Sequence, residues 1–159
     1  MYNNNNIKQH NNTWHIIPVY KCMLVKESNH DADSKSITNP AIAASILTEY
    51  LKDADREHFV VLLLNTKNKV VGINTVSIGN LNSSIVHPRE VFKPAILASV
   101  AAVILGHNHP SGDSTPSKED ITITERLIEA GKILGIEVLD HIIIGDYFKS
   151  LKESGYVNW

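Results

Sequence analysis

The chain has 159 residues, 43% of them hydrophobic, and a formal charge of −2 at pH 7. That length and apolar content suit one domain with a real core, and the charge gives no general attraction for nucleic-acid phosphates. A single cysteine, Cys22, excludes an internal disulfide and suits a reducing cytosol.

Residues 1–13 are Asn-rich and read as a disordered polar lead, with a single domain expected over 14–159. The lead has no apolar h-region, so no signal peptide is visible and a cytoplasmic location is expected. Trp14 to Val25 reads as a first strand, with Ile16, Ile17, Val19, Met23, Leu24 and Val25 as its apolar content and Cys22 as a small hydrophobe within it. Asn39-Pro40 is a good N-cap and N1 pair for a helix to about Asp53. Glu57–Leu64 and Val70–Ile78 form a hairpin across Asn65-Thr-Lys-Asn-Lys69. His87-Pro88 leads a second helix, in which Pro94 is tolerable only within the first turns.

The nearly apolar stretch Ala95–Gly106 is too short to span a bilayer, so no membrane association is expected. Within it, Val100–Leu105 is short and rich in β-branched residues, which suits a buried interior strand. Side chains at i and i+2 of a strand share a face, so His107 and His109 point the same way and Asn108 points away. Pro110 stops the pairing, and Ser111-Gly-Asp-Ser-Thr-Pro116 is dense in turn formers. Ser117-Lys-Glu-Asp120 then has the form of a capping box opening a helix near Lys118, with Gly131 a weak point inside and Gly135 a natural stop. A strand over Glu137–Ile144 and a short one within Tyr147–Leu151 complete the order. Helices alternate with strands and the hairpin requires antiparallel pairing, so the expected class is α/β (or α+β), a three-layer mixed sheet flanked by helices.

Two imidazoles and the carboxylate of Asp120 can close three sides of a tetrahedral zinc site, leaving the fourth open as hydrolysis requires. Each part also has a plainer explanation. A histidine at a strand end is commonly a polar edge residue. Asp120 and Ser117 are accounted for by the capping box, in which Ser117 contributes about 1 kcal/mol as N-cap. If Asp120 ligates metal, its second oxygen alone can reach back to the Ser117 backbone. Glu57, leading the apolar run Phe59–Leu64, has two readings: a partly desolvated carboxylate able to act as a base, or an exposed strand-leading acid, which the residues alone favour.

The pattern of a strand-leading Glu, then His-x-His-Pro, then Ser-x-x-Asp resembles the JAMM (MPN-type) zinc metalloproteases. More closely, Val86-His-Pro-Arg-Glu-Val-Phe92, His107-Asn-His-Pro-Ser-Gly-Asp113 and Leu139-Asp-His141 resemble the RadC family, over about Pro40 to Val157. The resemblance implies a JAMM/MPN-like, cytidine-deaminase-like architecture, with a single zinc ion per chain held by His107, His109 and Asp120. It implies Glu57 as general acid/base on the water activated there, and Ser117 as donor to the developing oxyanion. The helix-hairpin-helix region usual in RadC proteins has no counterpart here, so a stand-alone catalytic domain, of the short kind found on mobile elements, is expected.

The function expected is therefore a zinc-dependent metallopeptidase or isopeptidase acting on a peptide or protein substrate. The alternative is a DNA-processing or nuclease-type factor of DNA repair or mobile elements, drawing on Lys67, Lys69, Arg89 and Lys93. A structural zinc in a binding module needs a fourth protein ligand, and none is obvious. A deaminase needs Cys-x-x-Cys ligands, which the single cysteine excludes. An exposed sheet edge offers a route to a homodimer. His87 lines the site or bonds the helix-leading backbone; Asp140 and His141 face opposite ways and cannot simply act together. Ser111 reads as turn chemistry, and His10, His15, His30 and His58 as surface or incidental.

Overall fold

The run Phe59–Leu64 is wholly apolar, and a strand with apolar residues on both faces must be covered on both. In the computed structural model, which describes residues 17–30, 36–79 and 86–159, the covers are helices. α1 (Pro40–Leu51) starts where Asn39 accepts the Ile42 N–H, with Pro40 pre-set for the first turn. β1 (His58–Leu64) and β2 (Val70–Ile78) form the antiparallel hairpin. α2 (Pro88–Leu97) is capped by His87 and contains Pro94. β3 (Ala102–Asn108) is buried along its length. α3 (Lys118–Leu134) runs from a complete capping box to Gly135, whose left-handed backbone (φ 68°) stops it. β4 (Glu137–Ile144) and β5 (Phe148–Ser150) close the chain's order of elements.

The strands form one sheet in the order β2-β1-β3-β4-β5. β1 pairs antiparallel with β2 and β3, β3 pairs parallel with β4 through the α3 crossover, and β5 returns antiparallel on β4. Alternate residues divide the core into two layers. Phe59, Val61, Leu63, Val103 and Leu105 pack under α2 and α3 with Phe92, Ile123 and Leu127. Val60, Leu62, Leu64, Ile104 and Ile142 pack under α1 with Ala43 and Leu47. This is the expected three-layer mixed-sheet α/β architecture.

Two glycines mark close approaches. A Cβ at Gly106 would lie 2.6 Å from the Leu47 side chain, so the residue before His107 is kept small where α1 crosses the sheet. A Cβ at Gly131 would lie 2.5 Å from the Ile136 carbonyl oxygen and 3.3 Å from the Phe92 ring. The weak point expected in α3 is thus a packing requirement between that helix, α2 and the start of β4.

One expected element is absent. Of the strand read over Trp14–Val25, residues 17–25 lie within the described structure, and they make no strand. Ile17, Val19, Met23, Leu24 and Val25 are exposed, and Cys22 is an exposed free thiol and not a core hydrophobe. Apolar content does not make a strand without a ladder partner, and among the described residues this segment has none. The polar lead read over residues 1–13 falls outside the described residues. Among those described, no helix is long and apolar enough to cross a membrane.

Candidate metal centre

The site forms at one end of β1 and β3, on the α2/α3 face. His107 pairs with Phe59 across the two strands. The His109 N–H still donates to the Ile144 carbonyl at 2.8 Å, so the alternation of β3 carries one residue past its end and both imidazoles share a face. Continuing the antiparallel register from Phe59 and His107 sets Glu57 opposite His109. Glu57 is half-buried there, and its charge is among the influences that raise the His109 imidazole.

The loop after Pro110 is pinned from below. Gly112 donates to the His109 carbonyl at 3.0 Å and accepts from Asp146 N–H at 2.7 Å, so the β4–β5 turn holds it. The close approach there also needs Gly145, where a Cβ would meet the Gly112 carbonyl oxygen at 2.2 Å. Ser111 and Asp113 act within the turn: Ser111 Oγ lies 3.4 Å from Asp113 N, and Asp113 Oδ1 accepts Thr115 N–H at 2.8 Å.

The loop delivers Asp120 in the first turn of α3, with its two oxygens divided between tasks. Oδ2 accepts both the backbone N–H and the hydroxyl of Ser117, each at 2.7 Å. Oδ1 faces His107 Nε2 at 3.3 Å. The capping box thus occupies Oδ2 and leaves Oδ1 without a bond to Ser117. Ser117 in turn accepts the Asp120 N–H at 3.1 Å. Its hydroxyl proton is directed at Asp120 and not toward open space, which makes it first a residue that orients the carboxylate.

His107 and His109 present their Nε2 atoms to each other at 2.9 Å, and His109 Nε2 lies 3.5 Å from Asp120 Oδ2. His109 Nδ1 is 2.6 Å from the Asp113 carbonyl oxygen, which can only accept. The ring proton of neutral His109 is therefore on Nδ1, and its Nε2 lone pair faces the group. Burial alone would push the Asp120 carboxyl up, but the two imidazoles outweigh it and hold the carboxyl well below the usual range. The hydrogen bond to Asp120 pushes His109 up, against the opposing effect of burial.

These ligand atoms lie within 4.8 Å of one another. Tetrahedral coordination with bonds of about 2.0–2.1 Å has edges of about 3.3–3.4 Å, close to the 2.9 Å between the two Nε2 atoms and the 3.3 Å from His107 Nε2 to Asp120 Oδ1, while His109 Nε2 lies 3.5 Å from the other carboxylate oxygen. Lone pairs and an anionic oxygen converging at that spacing repel one another unless a cation, either a metal ion or the proton of one imidazolium, lies among them. The donor set fits a metal ion. Among the described residues the group has no fourth member, which disfavours a closed structural site.

The RadC-like JAB domain model matches residues 37–156. The chain belongs to that family. A UPF0758 protein of Desulforamulus reducens is 63% identical over 119 residues, covering 74% of this chain and 52% of that protein. One from Caldanaerobacter subterraneus subsp. tengcongensis is 58% identical over 125 residues, 78% of this chain and 54% of its own length. A third, from Bacillus cereus, is 58% identical over 123 residues, 77% of this chain and 55% of its own. The chain thus spans about half the length of the curated relatives it matches.

Three supporting residues complete this RadC-like JAB site. Asn108 turns away from the histidines, as its place on β3 requires, and bonds the backbone on both sides of Glu57. His141 is fully buried behind His107, with His107 Nδ1 2.8 Å from its Nε2. Thr124 lies 2.6 Å from His141 Nδ1. Sequence reasoning had no role for Thr124, although its place four residues after Asp120 puts both on one face of α3. His87 takes the plainer of its two readings, accepting Arg89 N–H at 3.2 Å as a helix cap. His30 packs edge-on against Tyr50 away from the group, and His58 Nδ1 lies against the Arg56 carbonyl.

His141 reaches the site through an irregularity in β4. Val103 pairs with Val138, but Ile104 pairs with Asp140, so Leu139 is bulged out of the register. On a regular strand Val138 and His141, three apart, would face opposite ways. The bulge puts both on the α3 side. Asp140 then faces away, accepting from Ser150 Oγ at 2.6 Å, His141 N at 2.7 Å and Lys152 N at 3.2 Å. It secures the bulge.

Proposed function

We propose that this chain is a zinc-dependent hydrolase of peptide or isopeptide bonds, acting on a peptide or protein substrate. One observation carries the reading: Nε2 of His107, Nε2 of His109 and a carboxylate oxygen of Asp120 converge beside Glu57, with no fourth protein ligand among the described residues. Membership of the RadC-like JAB family supports it. Imidazole and carboxylate ligands suit zinc, and zinc, when bound, supplies a Lewis acid that activates water near neutral pH.

The chain's own groups divide the remaining work. His107, His109 and Asp120 would hold the ion. Glu57 takes a proton as the water oxygen bonds to the carbonyl carbon, and returns it to the amine nitrogen as the carbon–nitrogen bond breaks. Ser117, with its hydroxyl turned away from Asp120 Oδ2, donates to the carbonyl oxygen as charge develops there. The exposed thiol of Cys22 is compatible with the reducing cytosol in which we place the activity.

Replacing Glu57 by Gln tests this assignment. Zinc content should be retained while turnover of peptide and isopeptide-linked substrates is lost. Unchanged turnover would remove Glu57 from the mechanism. DNA cleavage, with binding that weakens steeply as salt rises, would instead favour the DNA-processing reading.

A further inference from the structure

Behind the ligand His107 lies a second histidine that no step of the hydrolysis uses. His141 has 0% relative exposure and sits under Phe59, whose ring meets it edge-on at 5.4 Å and stacks along His107 at 6.1 Å. A buried imidazole with a hydroxyl on one nitrogen and another imidazole on the other must have its proton somewhere. The neighbouring groups determine where.

The chain of donors starts at the Asp120 main-chain carbonyl, which can only accept. Thr124 Oγ1 donates to it at 2.6 Å. A hydroxyl has one proton, so Thr124 Oγ1 meets His141 Nδ1, 2.6 Å away, as an acceptor. The proton of neutral His141 is therefore on Nδ1, and its Nε2 is a lone pair. That lone pair lies 2.8 Å from His107 Nδ1, which must donate. Neutral His107 then has no proton on Nε2, the atom directed at His109 Nε2 and Asp120 Oδ1.

We propose that Thr124 and His141 are positioning residues that lock His107 in the tautomer whose Nε2 lone pair faces the metal, so that they set metal affinity without touching the ion. The proposal rests on the metal reading above. Its origin is local to α3: the helix that supplies the ligand Asp120 also supplies, one turn later, the hydroxyl that fixes the tautomer of His107. Reversing any one bond would propagate along the chain. His141 with its proton on Nε2 would donate to His107 Nδ1 and force a proton onto His107 Nε2. Groups that orient a ligand histidine in this way change metal affinity by about 10–100-fold when removed.

The test uses the full chain, with Thr124→Val, Thr124→Ser and His141→Phe variants. Histidine tautomers are read by nitrogen-15 correlation spectra of metal-free protein, and zinc affinity by competition with a chelator. The proposal expects Nδ1–H on both His107 and His141 in the wild type. In Thr124→Val, which keeps the shape of the side chain but not its hydroxyl, the two signals should shift toward Nε2–H and zinc affinity should fall about 10–100-fold. Thr124→Ser should restore both, and His141→Phe should weaken zinc similarly.

A proton on Nε2 of His107 in the wild type overturns the proposal, even if no variant folds. Unchanged tautomers and zinc affinity in Thr124→Val overturn it as well. If the wild type binds no zinc, the metal reading fails separately. In that case the tautomer spectra of the metal-free protein still decide whether the lock exists.

Discussion

Asn108 holds the backbone on either side of Glu57: its Oδ1 accepts the His58 N–H at 2.8 Å, and its Nδ2 donates to the Arg56 carbonyl at 2.9 Å. One side chain therefore satisfies two main-chain groups that the end of the β1 ladder leaves without strand partners. The residue between His107 and His109 fixes the segment that carries Glu57. Spacing the histidines by two turns their neighbour to the opposite side, where it is available for this task.

Asn108→Ala should leave zinc content intact and lower kcat about 10–100-fold, the scale expected when a catalytic group is misplaced by about an ångström. The two unmade hydrogen bonds should also cost about 1–3 kcal/mol each in stability. Steady-state kinetics beside elemental analysis checks the first expectation. Loss of zinc with loss of activity would show that Asn108 supports the ligands and not Glu57.

Zinc binding should weaken as pH falls through neutrality. The His109 imidazole is raised by its hydrogen bond to Asp120, while the Asp120 carboxyl is held well below its usual range. Over this interval Asp120 stays ionised and His109 takes up the proton that competes with the ion. In metal-free protein, the raised His109 contributes stability that is fully present below the usual imidazole value and is lost as pH rises through its own. The Tm gained on adding zinc should therefore grow between about pH 5.5 and 8. A gain independent of pH would contradict the assignment.

Ser117→Ala separates the cap from the oxyanion donor. Loss of the N-cap should cost about 1 kcal/mol, seen as a lower Tm. Asp120 Oδ2 keeps the Ser117 backbone N–H, so zinc should be retained. If the hydroxyl also donates to the reacting carbonyl oxygen, kcat should fall about 10²-fold or more. A stability loss with unchanged kcat would leave Ser117 a cap alone.

Gly131→Ala should destabilise, against simple helix propensity. In an open helix the change would gain about 1 kcal/mol. Here the new methyl group would press on the Ile136 carbonyl oxygen and the Phe92 ring, an overpacking cost of about 1–3 kcal/mol. Denaturant unfolding gives the sign directly, and a stabilised variant would contradict the packing of α2 on α3.

The elements legible in the sequence are those whose signals are local. Asn39-Pro40, the Ser117–Asp120 capping box and Gly135 mark helix ends through bonds made within a few residues, and the structure places those ends accordingly. The alternation around His107 and His109 sets the two imidazoles on one face, and the capping box brings Asp120 to them. What escaped the sequence depends on distant partners. The run Ile17–Val25 has strand composition but no strand partner among the described residues. The face that His141 occupies depends on a bulge at Leu139, which no residue type announces. Thr124 gains its importance only when β4 comes alongside α3.

The central claim is that His107, His109 and Asp120 hold zinc. Elemental analysis of the purified protein, beside His109→Ala and Asp120→Ala, tests it most directly. The account predicts about one zinc per chain in the wild type and little in either variant, as loss of one of three protein ligands requires. Protein that takes up no metal when zinc is supplied, or variants that retain it in full, would leave His107-Asn-His109-Pro110 and Ser117–Asp120 as turn and cap chemistry and contradict the hydrolase.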